Sequence, residues 1–268
     1  MKNSLYIFGL VLLALVGCST ETPTQAPGAD TDVVAEIVAG AVGYQSNGLT
    51  ATVGDVIAAG KGRGLRDMVR TATAGDVIVT QTDSSYDPGS RNQKLSFVCQ
   101  RSQADDYSEW KLRYQIGFAE QAPGASALGL PLNAQAHTDG TYRSPALTVQ
   151  GSSTTDLQFE NLDARDGANL SGDYQWVGTT VVRSARDERY TDVSVRISWN
   201  RLSATADPRD GRSVLNGRCD INIRANGPSG VISKNGILTF DGGDTATLVI
   251  GGKRYLVSLG TARLQQEG

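Results

Sequence analysis

The chain has 268 residues, with 28 acidic and 25 basic side chains and a formal net charge of −3. A mildly acidic chain without a Lys/Arg cluster is a poor nucleic-acid binder, and no nucleic-acid partner is expected, since that affinity comes mostly from phosphate neutralisation. A single histidine excludes zinc sites built on several His, while 31 glycines with many Asp, Thr and Ser suit short strands joined by tight turns.

Residues 1–17 have the parts of an export signal: a basic start at Lys2, an apolar run from Leu5 to Val16, and a small residue, Gly17, before Cys18. The run is well below the roughly 20 residues that a membrane-crossing helix needs. Leu15-Val16-Gly17-Cys18 resembles the lipobox of bacterial lipoproteins. The resemblance implies cleavage before Cys18, diacylglycerol on its sulfur and a third acyl chain, of the palmitate type, on its amine. Two or three chains anchor durably where one binds marginally, at roughly 0.8 kcal/mol per buried methylene. Ser19 stands where an Asp would resemble an inner-membrane retention signal, so an outer-membrane destination is implied if the host has two membranes. Residues 18–31 contain Pro23, Pro27 and Gly28 and no large apolar side chain. They read as a flexible tether between anchor and domain.

Residues 32–268 read as a single β-rich domain with a helical N-terminal part, 32–72. Val33, Val34, Ile37, Val38, Ala41 and Val42 recur at helical spacing, with Asp30 or Thr31 as N-cap and Gly43 as a stop. Val53–Ala59 and Leu65–Thr71 read as further helical turns. Between them, Gly60-Lys61-Gly62-Arg63-Gly64 lacks the Gly-Lys-Ser/Thr ending of a phosphate-binding loop and reads as a basic link. After Thr73 the period becomes two. Strands are expected at 76–81, 95–100 and 109–118, the last alternating Trp110, Leu112, Tyr114, Ile116 and Phe118 with polar or small residues. Residues 119–145, with His137, read as a long loop. Strands resume at 146–150, 156–162, 173–183 and 192–202. The final series, 214–224, 236–240, 245–250 and 254–259, carries Gly242-Gly243 and Gly251-Gly252 as hairpin turns. About ten sequential strands predict a mainly β fold: a large curved antiparallel meander, as a partly open barrel or else a two-layer sandwich, with short N-terminal helical segments packed against one face or end.

The chemistry is sparse. Cys99 and Cys219 each share a strand face with apolar neighbours, and two readings stay open: a bridge formed in an oxidising compartment, or two separately buried thiols. No G-x-S-x-G elbow exists to give His137 a serine partner, so it reads as a solvated loop residue. Glu109, Glu160 and Asp220 are the acids placed on strands, and a glycosidase would need two of them about 5–10 Å apart. Asp163, Asp166, Asn169 and Asp173 invite calcium without the spacing of an EF-hand. Trp110, Trp176 and Trp199 read as core, or as a saccharide platform if they share an exposed face. No cofactor or metal is expected, and no catalytic residue. The chain is expected to be a lipid-anchored envelope protein that binds or builds rather than catalyses. The alternatives are a carrier or sensor of apolar small molecules, then an envelope glycosidase. Its expected partners are the membrane, through Cys18, and an envelope protein, a saccharide or an apolar ligand.

Overall fold

The computed structural model describes residues 29–60, 76–87, 92–103, 108–118, 131–163, 167–183, 188–206 and 213–266. The expected export signal with Cys18, the expected tether as far as Gly28, the link at Lys61–Gly64 and the expected turn Leu65–Thr71 lie outside them. Helix α1 is Ala29–Val42 and helix α2 is Leu49–Gly60. The helix starts one residue ahead of the expected caps, so Asp30 and Asp32 fall inside its first turn, where negative charge favours the helix dipole. Gly43 ends it as expected. The link to α2 is tied to the sheet by Tyr44 N–H donating to Leu259 O (2.6 Å) and Gln45 N–H to Gly260 O (3.2 Å).

Twelve strands follow: β1 Asp76–Asp87, β2 Asn92–Gln103, β3 Ser108–Phe118, β4 Pro131–Arg143, β5 Leu147–Asp163, β6 Gly167–Val182, β7 Glu188–Ala206, β8 Ser213–Gly227, β9 Gly230–Asp241, β10 Thr245–Ile250, β11 Lys253–Ser258 and β12 Arg263–Gln266. They form one antiparallel sheet in chain order, with β1 and β12 as its edges. The meander is therefore one curved sheet, and the two-layer sandwich is set aside. Its concave side holds the helices. α1 packs on β5, β6, β10, β11 and β12, and α2 on β4, β7 and β8. That enclosure explains the composition of α1: Val33, Val34, Ala35, Ile37, Val38, Ala39, Ala41 and Val42 are all at most 5 % exposed. A helix apolar all round belongs in an interior, not on a surface.

Two sequence expectations are corrected. The segment 131–143 is strand β4, not loop. Its inward residues, Ala134, Ala136, Thr138 and Gly140, are small because α2 and Trp110 press close to them, so no hydrophobic alternation marks them. The expected strands 146–150 and 156–162 are one strand, β5, joined through the small inward residues Gly151, Ser153 and Thr155. Ser153 Oγ lies 2.6 Å from Thr138 Oγ, which pairs two buried hydroxyls across the strands. The short edge β12 had no sequence signal.

Gly140, Gly151 and Gly178 stand side by side on β4, β5 and β6. A Cβ on Gly140 would strike the Glu109 carbonyl and lie 2.6 Å from the Trp110 ring, and one on Gly151 or Gly178 would lie 2.9 Å from the Trp176 ring. Indoles thus cover a glycine row that lets the sheet bend around the helices. At the start of α1, Asp32 Oδ1 accepts from Lys253 Nζ (2.8 Å) and Tyr255 Oη (2.6 Å), clamping the first turn to β11. Burial pushes the Asp32 carboxyl up, but those two donors outweigh it and hold the group below its ordinary value.

Candidate binding face

Because the strands alternate, what is not against the helices points away from them. The outward positions are mostly polar, with Val177, Val231 and Val249 exposed among them. In register across β3 to β8 stand Arg113, His137, Thr154, Gln175, Arg196 and Asn222. The adjoining row holds Gln115, Gln135, Asp156, Asp173, Ser198 and Asp220. Each row crosses five strand spacings, about 24 Å. This is the reverse of a lipid-facing barrel wall, which is apolar outside.

Three depressions open between these side chains. One of about 410 Å³ and one of about 400 Å³ adjoin each other and share Gln115, Gln135 and Asp156. A third, of about 580 Å³, lies over β7 to β10 and is lined by Arg196, Arg218, Asp220, Asn222, Asn235 and Val249 among others. At the β3–β5 end, Asp139 Oδ2 accepts from Arg113 Nη2 (3.2 Å) and lies 3.0 Å from His137 Nε2. Gln135 Nε2 donates to Asp156 Oδ1 at 2.9 Å.

The residues singled out in the sequence are scattered by this register. Cys18 lies outside the described residues. Cys99 is on β2, its side chain outside them too, and Cys219 on β8 is a free thiol, 1 % exposed and inward-facing. Burial, with Asp220 beside it, pushes that thiol up to about 12, which leaves it unreactive at neutral pH. His137 is a strand residue held by Asp139, not a loop residue. Glu109 lies level with Gln150 on β5, ten residues from Glu160, or roughly 33 Å of strand. Asp220 is level with Asp156, three strands from β5, so these three acids do not converge. The acids that do meet are Asp156 and Asp173, directly opposed on β5 and β6. Pattern reading named Asp173 but missed its pairing with Asp156, because adjacency across strands needs the register. They stand on an open face, Asp173 about half exposed, and are engaged by Gln135 and by Arg196 Nη2 at 3.5 Å.

Asp163, Asn169 and Asp173 are spread along the β5–β6 ladder, with Asp166 outside the described residues. Among the described residues no group of three or more His, Cys, Asp or Glu is placed to hold a metal ion. Trp110, Trp176 and Trp199 are 2–4 % exposed and belong to the core, so they are no stacking platform for sugars. No protein-family model, curated protein or solved structure matches the chain. Among the described residues no helix is long and apolar enough to cross a membrane.

Proposed function

We propose that the chain is a lipid-anchored protein of the bacterial cell envelope, outer-membrane in a two-membrane host, that works by binding through its outward polar face. One observation carries the binding half: the helices occupy the concave side, so the polar rows and their depressions on the other face are the surface presented to partners. The lipobox carries the anchoring half. The non-catalytic reading is supported by the dispersal of Glu109, Glu160 and Asp220, which leaves a glycosidase without the acid pair first considered.

The apolar-carrier reading ranks lower on the same ground. A half-open barrel that carries lipid keeps its concave face for cargo, whereas here Ile37, Leu49, Leu112, Ile116 and Tyr174 meet there with at most 1 % exposure. Filling of this kind follows crystal-like packing, and cargo would have to displace a helix. The decisive experiment is mass spectrometry of the N-terminal peptide from native membranes. The expected species is a Cys18 peptide carrying diacylglycerol and an amide-linked acyl chain, with Cys18→Ala released from the membrane fraction. An unmodified peptide, or a variant that sediments with membranes as before, ends the anchoring proposal.

A further inference from the structure

The depression over β7 to β10 has a chemistry of its own. Arg196 on β7, whose Nη2 also lies 3.5 Å from Asp173 Oδ1 outside the depression, and Arg218 on β8 stand to either side of Asp220, the single carboxylate lining it. Asn222 Nδ2 donates to Asn235 Oδ1 at 2.8 Å, which fixes the two amides side by side with hydrogen-bonding capacity to spare. Ile237 and Val249, paired across β9 and β10, supply an apolar floor, and Val249 is 40 % exposed. Arg254, opposite Val249 on β11, and Arg224, two residues beyond Asn222, extend the cationic rim.

The cations around this depression are of one kind. On the described strands β7 to β12, every exposed cation is an arginine, while Lys234 and Lys253 are half-buried and Lys253 is spent on Asp32. This concentration sits on a chain whose formal net charge is −3. Arginine presents a planar fork that matches a carboxylate bidentately, which a lysine ammonium does not. A bare anion needs only the forks. The amides, Ser198 and the Asp220 carboxylate add acceptors and donors suited to hydroxyl groups, and the floor suits the C–H face of a sugar ring.

We infer that the depression over β7 to β10 binds a stretch of anionic glycan, a chain of sugar residues bearing carboxylates. Charge complementarity selects the occupant: Arg196 and Arg218 take carboxylates, Asp220 and Asn222 take hydroxyls, and Val249 packs under the ring. The span from Arg196 to Arg254 is four strand spacings, about 19 Å, the length of a short oligosaccharide. This inference rests on the outward face being the binding surface and is independent of acylation at Cys18.

The test uses the full chain in a non-ionic polyoxyethylene detergent, titrated calorimetrically with oligogalacturonate as a uronic-acid probe. Oligogalacturonate is expected to bind, more weakly as salt rises, and the Arg196→Ala/Arg218→Ala double variant is expected to bind at least tenfold more weakly. The Lys/Lys double variant should recover only part of that loss, since charge returns without the fork. Both arginines are exposed and the Arg196–Asp173 contact is a surface one, so thermal melts of the variants should stay close to the parent, which separates lost binding from lost fold. Dextran, poly-glutamate and micelles doped with phosphatidylglycerol should each compete poorly. Equal binding of dextran would remove the charge argument, and equal competition by poly-glutamate or phosphatidylglycerol would assign the site to acidic peptides or lipid headgroups instead. No oligogalacturonate binding, or binding untouched by the double variant, overturns the glycan assignment while the result at Cys18 stands apart from it.

Discussion

If α1 is the filling of the sheet, truncating it should loosen strands far from it in sequence. Ile37 is 1 % exposed and belongs to the same buried cluster as Trp110, Trp176 and Trp199. Ile37→Ala removes buried methylene and methyl groups from a site walled by strands that cannot all collapse inward, so the cost is about 2–5 kcal/mol. With a urea dependence of ~3 kcal/mol per molar, a mid-range loss lowers the unfolding midpoint by about 1 M. The assay follows two signals in one titration: circular dichroism at 222 nm for the helices, and tryptophan fluorescence for β3, β6 and β7. Both midpoints are expected to fall together, because helix and sheet share one core. A variant whose helical signal melts early while the tryptophan transition holds within about 0.5 kcal/mol of the parent would refute the enclosure of α1, since surface-packed helices would detach alone.

Other perturbations test separate contacts. Asp156→Asn relieves a like-charge pair directly opposed across β5 and β6 and keeps an acceptor for Gln135, so it should stabilise by roughly 0.2–1 kcal/mol in thermal melts, less at high salt. Burial pushes the Glu36 carboxyl above its ordinary 4.5, so the stability tied to its protonated form is present below that value and is lost as pH rises through the folded one. Glu36→Gln should therefore match the parent near pH 3 and exceed it at pH 7. Asp32 is shifted the opposite way, and its contribution is present above 3.8 and lost as pH falls through the folded value. Asp32→Asn should consequently melt below the parent at pH 7, with the gap closing in acid. Gly140→Ala should destabilise by more than the few tenths of a kcal/mol of an ordinary surface change and perturb the Trp110 emission, because the new methyl meets backbone on one side and indole on the other.

Much of the architecture was legible as local pattern. The alternation of β3, the glycine turns on either side of β10 and the apolar periodicity of α1 each express a constraint acting within a few residues, which is the range sequence pattern can report. The strands that escaped, β4 and the middle of β5, are small-residue stretches whose inward partners are α2, Trp110 and Trp176. Their side chains are small because something from elsewhere in the chain fills the space, and no periodicity records that. The same limit applied to His137, read as a loop residue because the strand around it was hidden.

The chain's own order of residues determined the β-rich class and the sequential meander, since each depends on neighbours along the backbone. Tertiary structure alone decided that α1 lies within the sheet, that Asp156 faces Asp173, and that Arg196, Arg218 and Asn235 border one depression. Those relations join residues tens of positions apart through strand register, and a shift of one residue would have turned every one of these side chains to the opposite face.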